Sequence, residues 1–229
     1  TNVCEVAILE VAPPGAATWT GATDSTWTDG DSTNWDITYN NGQAAIFADA
    51  GAGTVTLSGA IAPSAVTVGG ASDYTFAGAA LGGTDTTLTK NDAGTLTLSV
   101  ANTYTGATTV SGGVLAISDG TSLGTDAAGT TVTSGAQLAI DGGITVAEPL
   151  TIAGSGQSNN GGLKTVGVAD NTISGAIDVT GARIRADGSS PLALTGGITG
   201  DTLILTGAVT VSTTPIDLSG TLNIAGDDV

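Results

Sequence analysis

Residues 91–124 read NDAGTLTLSVANTYTGATTVSGGVLAISDGTSLG. Within them Thr95-Leu96-Thr97-Leu98 and Val114-Leu115-Ala116-Ile117 alternate apolar with small or polar residues. That period of two places one set of side chains on each face of a half-buried strand. Gly, Asn, Asp and Ser bound each run, and these are the residues that turn a chain sharply. Helix signals are absent, so the stretch predicts very short strands joined by tight corners.

The same style continues outward in both directions. Short runs of this kind occur at Thr54-Val55-Thr56-Leu57, Ala65-Val66-Thr67-Val68, Leu138-Ala139-Ile140, Leu150-Thr151-Ile152, Leu203-Ile204-Leu205 and Leu222-Asn223-Ile224. Self-similarity decides how they assemble. Ala52 to Ser58 (AGTVTLS) recurs as Ala93 to Ser99 (AGTLTLS), 41 residues further on. With solenoid coils of roughly 20 residues this offset is about two coils. Gly113 lies nineteen residues past Gly94 and Gly135 a further twenty-two, so the loops differ in length from coil to coil. The pattern predicts an all-β chain folded as a parallel β-helix, expected to be right-handed. Each strand would hydrogen-bond to its equivalent about 4.8 Å above and below. Val55, Leu57, Leu96, Leu98, Leu138 and Ile140 are predicted to share one continuous interior. The structural rival is an antiparallel sandwich, which wants longer strands and hairpin turns. Asn41-Gly42 is one such hairpin signal, but it falls outside the repeating region.

Composition agrees with a narrow aliphatic interior. The 229 residues include 36 Gly, while aromatics are 3%, charged residues 11% and apolar residues 40%. That apolar content is too high for intrinsic disorder. Four basic residues, Lys90, Lys164, Arg183 and Arg185, face 21 acidic ones, for a net charge of −17. Such a field repels nucleic acid and anionic membrane surfaces. No run of eighteen apolar residues is present, so no membrane span is expected. The start Thr1-Asn2-Val3-Cys4 does not have the build of a signal peptide and the sequence has no Met. We therefore expect a piece processed or excised from a longer reading frame, with any targeting segment already removed. Cys4 has no second cysteine to pair with inside the chain.

The chain divides by composition into three parts. Residues 1–14 hold the apolar run Val3 to Val11, broken by Pro13-Pro14, and read as an N-terminal strand or linking arm. Residues 15–50 read as a Trp-containing lead-in and capping segment, and residues 51–229 as β-helix coils.

Residues 91–124 resemble the autotransporter-associated β-strand repeat of large bacterial surface proteins. The pieces that carry the resemblance are G-T-L-T-L-S at Gly94 to Ser99, N-T-Y-T-G-A-T-T-V at Asn102 to Val110, and G-G-x-L-x-I at Gly112 to Ile117. Trp19-Thr20-Gly21, Trp27, Asn34-Trp35, Phe47 and Val55 to Ser58 are similar to the segment that precedes these repeats. The resemblance implies a passenger-type parallel β-helix, export across the outer envelope, and display or release at the cell surface. It implies no particular ligand.

Catalytic chemistry has little to draw on. Without His, no triad or imidazole metal ligand can form, and Asp119, Asp141 and Asp187 each precede a Gly in ordinary turn sequences. Arg183 and Arg185 share one strand face and are expected to pair at the surface with Asp178 or Asp187. Asp29 to Asp36 (DGDSTNWD) has oxygen ligands at alternate positions but not the glycine and bidentate glutamate of a calcium loop. Thr-x-Thr recurs at Thr54/Thr56, Thr87/Thr89, Thr95/Thr97 and Thr131/Thr133, an array that on a flat face could order water. No catalytic, cofactor-binding or metal residue is assigned, and no cofactor is expected. The reading is a non-catalytic extracellular structural or adhesive segment of a surface or secreted fibre. Its expected partners are copies of itself end to end, neighbouring domains of the same protein, or surface glycans. The alternatives are a carbohydrate-active β-helix and an ice-binding module.

Overall fold

The computed structural model describes residues 15–187, 189–212 and 215–225. The arm expected at residues 1–14, with Cys4, lies outside them. The described chain is a β-solenoid of about 9 turns with about 21 residues per turn and essentially no helix. None of its helices is long and apolar enough to cross a membrane.

All strand pairs in its three sheets are parallel. Two sheets of ten strands run the length of the solenoid, and a third of four strands begins at Thr145–Val146. One column of the first sheet stacks Val66, Leu88, Thr108, Thr130, Leu150 and Ile177 in register, all facing inward. A column of the second sheet stacks Leu96, Leu115, Leu138, Leu163, Ile184 and Leu205. Between such columns, one residue along each strand, the outward positions hold Thr97, Ala116, Ala139, Lys164 and Arg185. The period of two in the sequence is thus the inside and outside of the wall. Val55, Leu57, Leu96, Leu98, Leu138 and Ile140 are all at most 2% exposed, in one core cluster.

The two copies of the recurring heptapeptide do lie two coils apart in the second sheet, with strand Tyr74–Gly78 between them. Their register differs from the sequence match. Val55 stacks on Phe76 and then on Leu98, rather than over Leu96. A slip of two residues keeps every side chain on its own face, so burial tolerates it, whereas a slip of one would turn the core outward. Loop length absorbs the rest: Thr130 pairs with Leu150, but Leu150 pairs with Ile177 across a coil enlarged by the short 3-10 turn Gln157–Asn159.

Residues 15–50 supply the first rungs of both long sheets, Ala17–Thr18 and Thr26–Thr28, and an aromatic cluster that fills this end of the interior. Trp19, Trp27 and Tyr39 are fully buried and Trp35 is 4% exposed. Trp35 stacks on Tyr39 at 4.9 Å, while Trp19 and Trp27 meet Trp35 edge-on at 5.1 and 5.3 Å. These are the offset and perpendicular contacts that ring quadrupoles favour. Gly51 is required here: at φ +59°, a Cβ would stand 2.6 Å from Trp19 Nε1.

Replacing Leu98 with Asp should abolish the cooperative thermal transition, because an unpaired buried charge costs on the order of several kcal/mol. Thr97→Asp, one residue along on the outer face, should shift Tm only slightly; equal melting curves for the two would contradict the assignment of faces. Trp27→Ala should cost about 3–5 kcal/mol by opening a cavity in the aromatic end, read from urea denaturation.

Candidate functional site

Most of the polar residues that the sequence offers for chemistry are engaged in holding corners. Asp119 accepts from the Thr121 N–H and hydroxyl, both at 2.9 Å, and Asp141 accepts from Gly142 N–H at 2.7 Å. Asp49 receives the N–H groups of Ala71 and Ser72 from the next coil, at 2.7 and 2.8 Å, and those bonds hold its pKa below the usual value. Within Asp29 to Asp36, the Asp31 carboxylate accepts from Thr33 N–H and hydroxyl at 2.8 Å, and Asn34 Oδ1 accepts from the N–H groups of Thr23 and Asp24. Among the described residues no group of three or more His, Cys, Asp or Glu gathers as a metal would need.

Asp187 behaves differently from a simple turn residue. Its carboxylate lies 3.1 Å from both Lys164 Nζ and Arg185 Nε. Lys164 and Arg185 are neighbours in one outward column, so Asp187 offsets the repulsion between two stacked cations. Of the Thr-x-Thr residues, Thr89 and Thr131 stand in an outward threonine column with Thr67, Thr109 and Thr151, continued by Asp178.

Two buried ionisable groups carry more information. Lys90 occupies an inward position, stacked between Val68 and Val110, and is fully buried. Its stem extends the apolar column while its ammonium donates to the carbonyls of Asn91, Asp92 (3.1 Å) and Gly112 (3.5 Å) at the corner. Burial lowers its pKa, opposed by Asp92 and Asp73. Lys90 thereby ties two successive corners, and Gly113, whose Cβ would lie 2.3 Å from Gly94 O, lets those corners stack.

Glu148 is the second. It follows the first strand of the third sheet, on the side where the two preceding coils have loops instead of strands. The loops leave a recess of about 400 Å³ whose lining includes Ala101, Thr103, Thr125, Asp126, Ala147 and Glu148. Beside it Asn102 bridges three coils, accepting from Leu81 N–H at 2.9 Å and donating to Ser122 O at 2.6 Å. Glu148 is 5% exposed and accepts from the Thr130 hydroxyl at 2.7 Å. Thr130 stacks on Thr108, whose hydroxyl shares a 2.7 Å hydrogen bond with Tyr104. The other Glu148 oxygen, Oε2, is buried with no hydrogen-bond partner among the described residues, as is Thr125 Oγ1. Burial pushes the Glu148 pKa up to about 7, with Asp126 adding to the rise and the Thr130 hydroxyl opposing it.

The sequence reading passed over both groups. Lys90 was visible only as a charge standing where the alternation calls for an apolar residue. Glu148 is the one glutamate beyond residue 10, but nothing local announced its burial, which depends on loops a coil away.

The raised Glu148 pKa has a definite sign in stability. In the unfolded chain the group ionises near 4.5, in the folded one near 7. Below pH 4.5 its contribution is fully present; between about 4.5 and 7 the unfolded chain releases its proton first, so stability falls as pH rises. The total is about 3 kcal/mol. Urea denaturation between pH 5 and 8 should give a falling stability that Glu148→Gln flattens; an identical slope in the variant would refute the assignment.

The family model described as Passenger-associated-transport-repeat matches residues 88–117. No curated protein and no solved structure matches the chain. The matched span runs from Leu88 through the buried Lys90, both strands of the opening stretch and the stacked glycine corner, one full coil and the first strands of the next. It ends at Ile117, inside the second-sheet ladder. Residues 88–117 are therefore similar to a passenger-associated-transport repeat, and the β-solenoid that carries them fits an autotransporter passenger.

Proposed function

We propose that this chain is a non-catalytic, structural or adhesive stretch of a protein displayed at, or released from, a bacterial cell surface. The observation that carries the reading is the transport repeat at residues 88–117 inside a solenoid whose interior is packed from the aromatic end onward. An extended wall of outward Thr, Ala, Asp and Lys positions, supported by a continuous core, suits a spacer or a broad contact surface. The net charge of −17 suits a soluble fibre rather than one that binds nucleic acid.

The partner in this reading is another coil of the same kind, from a neighbouring domain or a second copy. Ile224 continues the inward column that holds Leu205, yet it is 75% exposed where Leu205 is 3%. Ile216 and Leu222 are likewise exposed at inward positions of their columns. An added coil would cover all three and pair the free strand edges.

A carbohydrate-active function is the second reading, favoured by the raised-pKa Glu148 beside Asp126, since glycosidases use two carboxylates in different protonation states. Against it, no aromatic ring lines the recess to stack on a sugar.

Antibodies raised against the folded solenoid should label intact producing cells, and protease added outside should remove the label; a chain confined to the cytoplasm would overturn the reading. The purified chain should release no product from neutral or acidic polysaccharides. Product release that Glu148→Gln abolishes would favour the second reading instead.

A further inference from the structure

The recess beside Glu148 contains a chemical imbalance that the solenoid does not need. A buried carboxylate oxygen without a donor is a costly group, and native proteins seldom retain one without a use. Here Glu148 Oε2 and Thr125 Oγ1 are both buried without a partner, in the lining of the same opening, and exposed Asp126 stands at its rim. The remaining wall is built of small residues, the polar Asn102, Thr103 and Thr121 among them, with carbon surface supplied by Ala101 on one loop and Ala147 on another.

These features select a class of ligand. Anions are disfavoured, since none of Lys90, Lys164, Arg183 and Arg185 lines the recess. A divalent metal is poorly served by two carboxylates in a mostly carbon-lined wall, because hard cations seek six or more oxygens. A small organic cation meets both halves of the site, with N–H donors for the unpaired oxygens and carbon for the alanines. We propose that this recess binds a primary alkylammonium group, with its nitrogen at the Glu148 carboxylate, Asp126 adding attraction from the rim, and its carbon stem against Ala101 and Ala147. The group would be a lysine side chain of a partner peptide or the free amine of an amino sugar. Nothing in this assignment depends on where in the cell the chain resides.

The bound cation favours the ionised carboxylate, so binding should strengthen as pH rises from 6 to 8 while the amine stays charged. The other titratable groups facing Glu148 are Asp126 and the Tyr104 phenol. Asp126 adds attraction, and Tyr104, its pKa raised by burial, stays neutral across that range.

Calorimetric titration of the purified chain at pH 6 and 8 tests the proposal, using N-acetyl-lysine methylamide, glucosamine, N-acetylglucosamine and calcium chloride as separate probes. We expect one or both amines to bind, the lysine amide more tightly at pH 8, while N-acetylglucosamine gives no heat. Compared at pH 6, where both amines are charged, tighter binding of the lysine amide would identify a peptide source, and tighter glucosamine an amino sugar. Glu148→Gln should weaken amine binding at least tenfold with folding verified by its melting curve. Asp126→Asn, at an exposed position, should weaken it several-fold and serves as the independent variant if Glu148→Gln unfolds. No amine binding, calcium bound in preference to the amines, or amine binding unchanged by Asp126→Asn would overturn the proposal.

Discussion

A backbone N–H that points along the solenoid axis can be satisfied only by a carbonyl one coil away, as Leu88 N–H is by Ala107 O at 3.1 Å. A solenoid has no other partner to offer, because its strands are too short and too sharply turned to pair within a coil. Register is therefore the constraint to which everything else yields. Loops lengthen, as between Leu150 and Ile177, and third-side strands appear or dissolve into loops, but the two long sheets keep their ladders unbroken from Ala17 to the last described coil.

Within that constraint the interior changes character along its length. It begins aromatic, at Trp19, Trp27, Trp35 and Tyr39, becomes aliphatic through Leu96 and Leu115, and admits polar side chains where a second interaction compensates them. Lys90 is compensated by corner carbonyls and Thr130 by Glu148. Glu148 itself leaves an oxygen over, as do Asp31 and Thr206 elsewhere in the chain, and it does so where the third side changes from loops to strands.

How much of this was legible follows from the range of each interaction. Faces were legible because period two is written within four residues, as in Thr95 to Leu98. The coil length was legible from the recurrence of Ala52 to Ser58, but register was not, since a two-residue slip costs nothing in burial and leaves no mark on either strand alone. The Trp-rich segment reads as a lead-in and cap; its rings pack into the interior, and the same residues also furnish rungs, Thr26–Thr28 among them. Glu148 was illegible because its surroundings come from Asp126 and Thr130 in the coil before. Local sequence records what a strand buries, and says little about which loops will close over it.

The axial direction of the hydrogen bonds has a mechanical consequence. A pull along the axis loads successive coils in series, and each would peel away as a separate event while the remainder stays folded. A coil that adds about 4.8 Å to the folded length releases about 70 Å of extended chain from its roughly 21 residues. A tether built this way lengthens in discrete steps under load, dissipating work at each one, and rewinds coil by coil on the intact ladder when the tension falls.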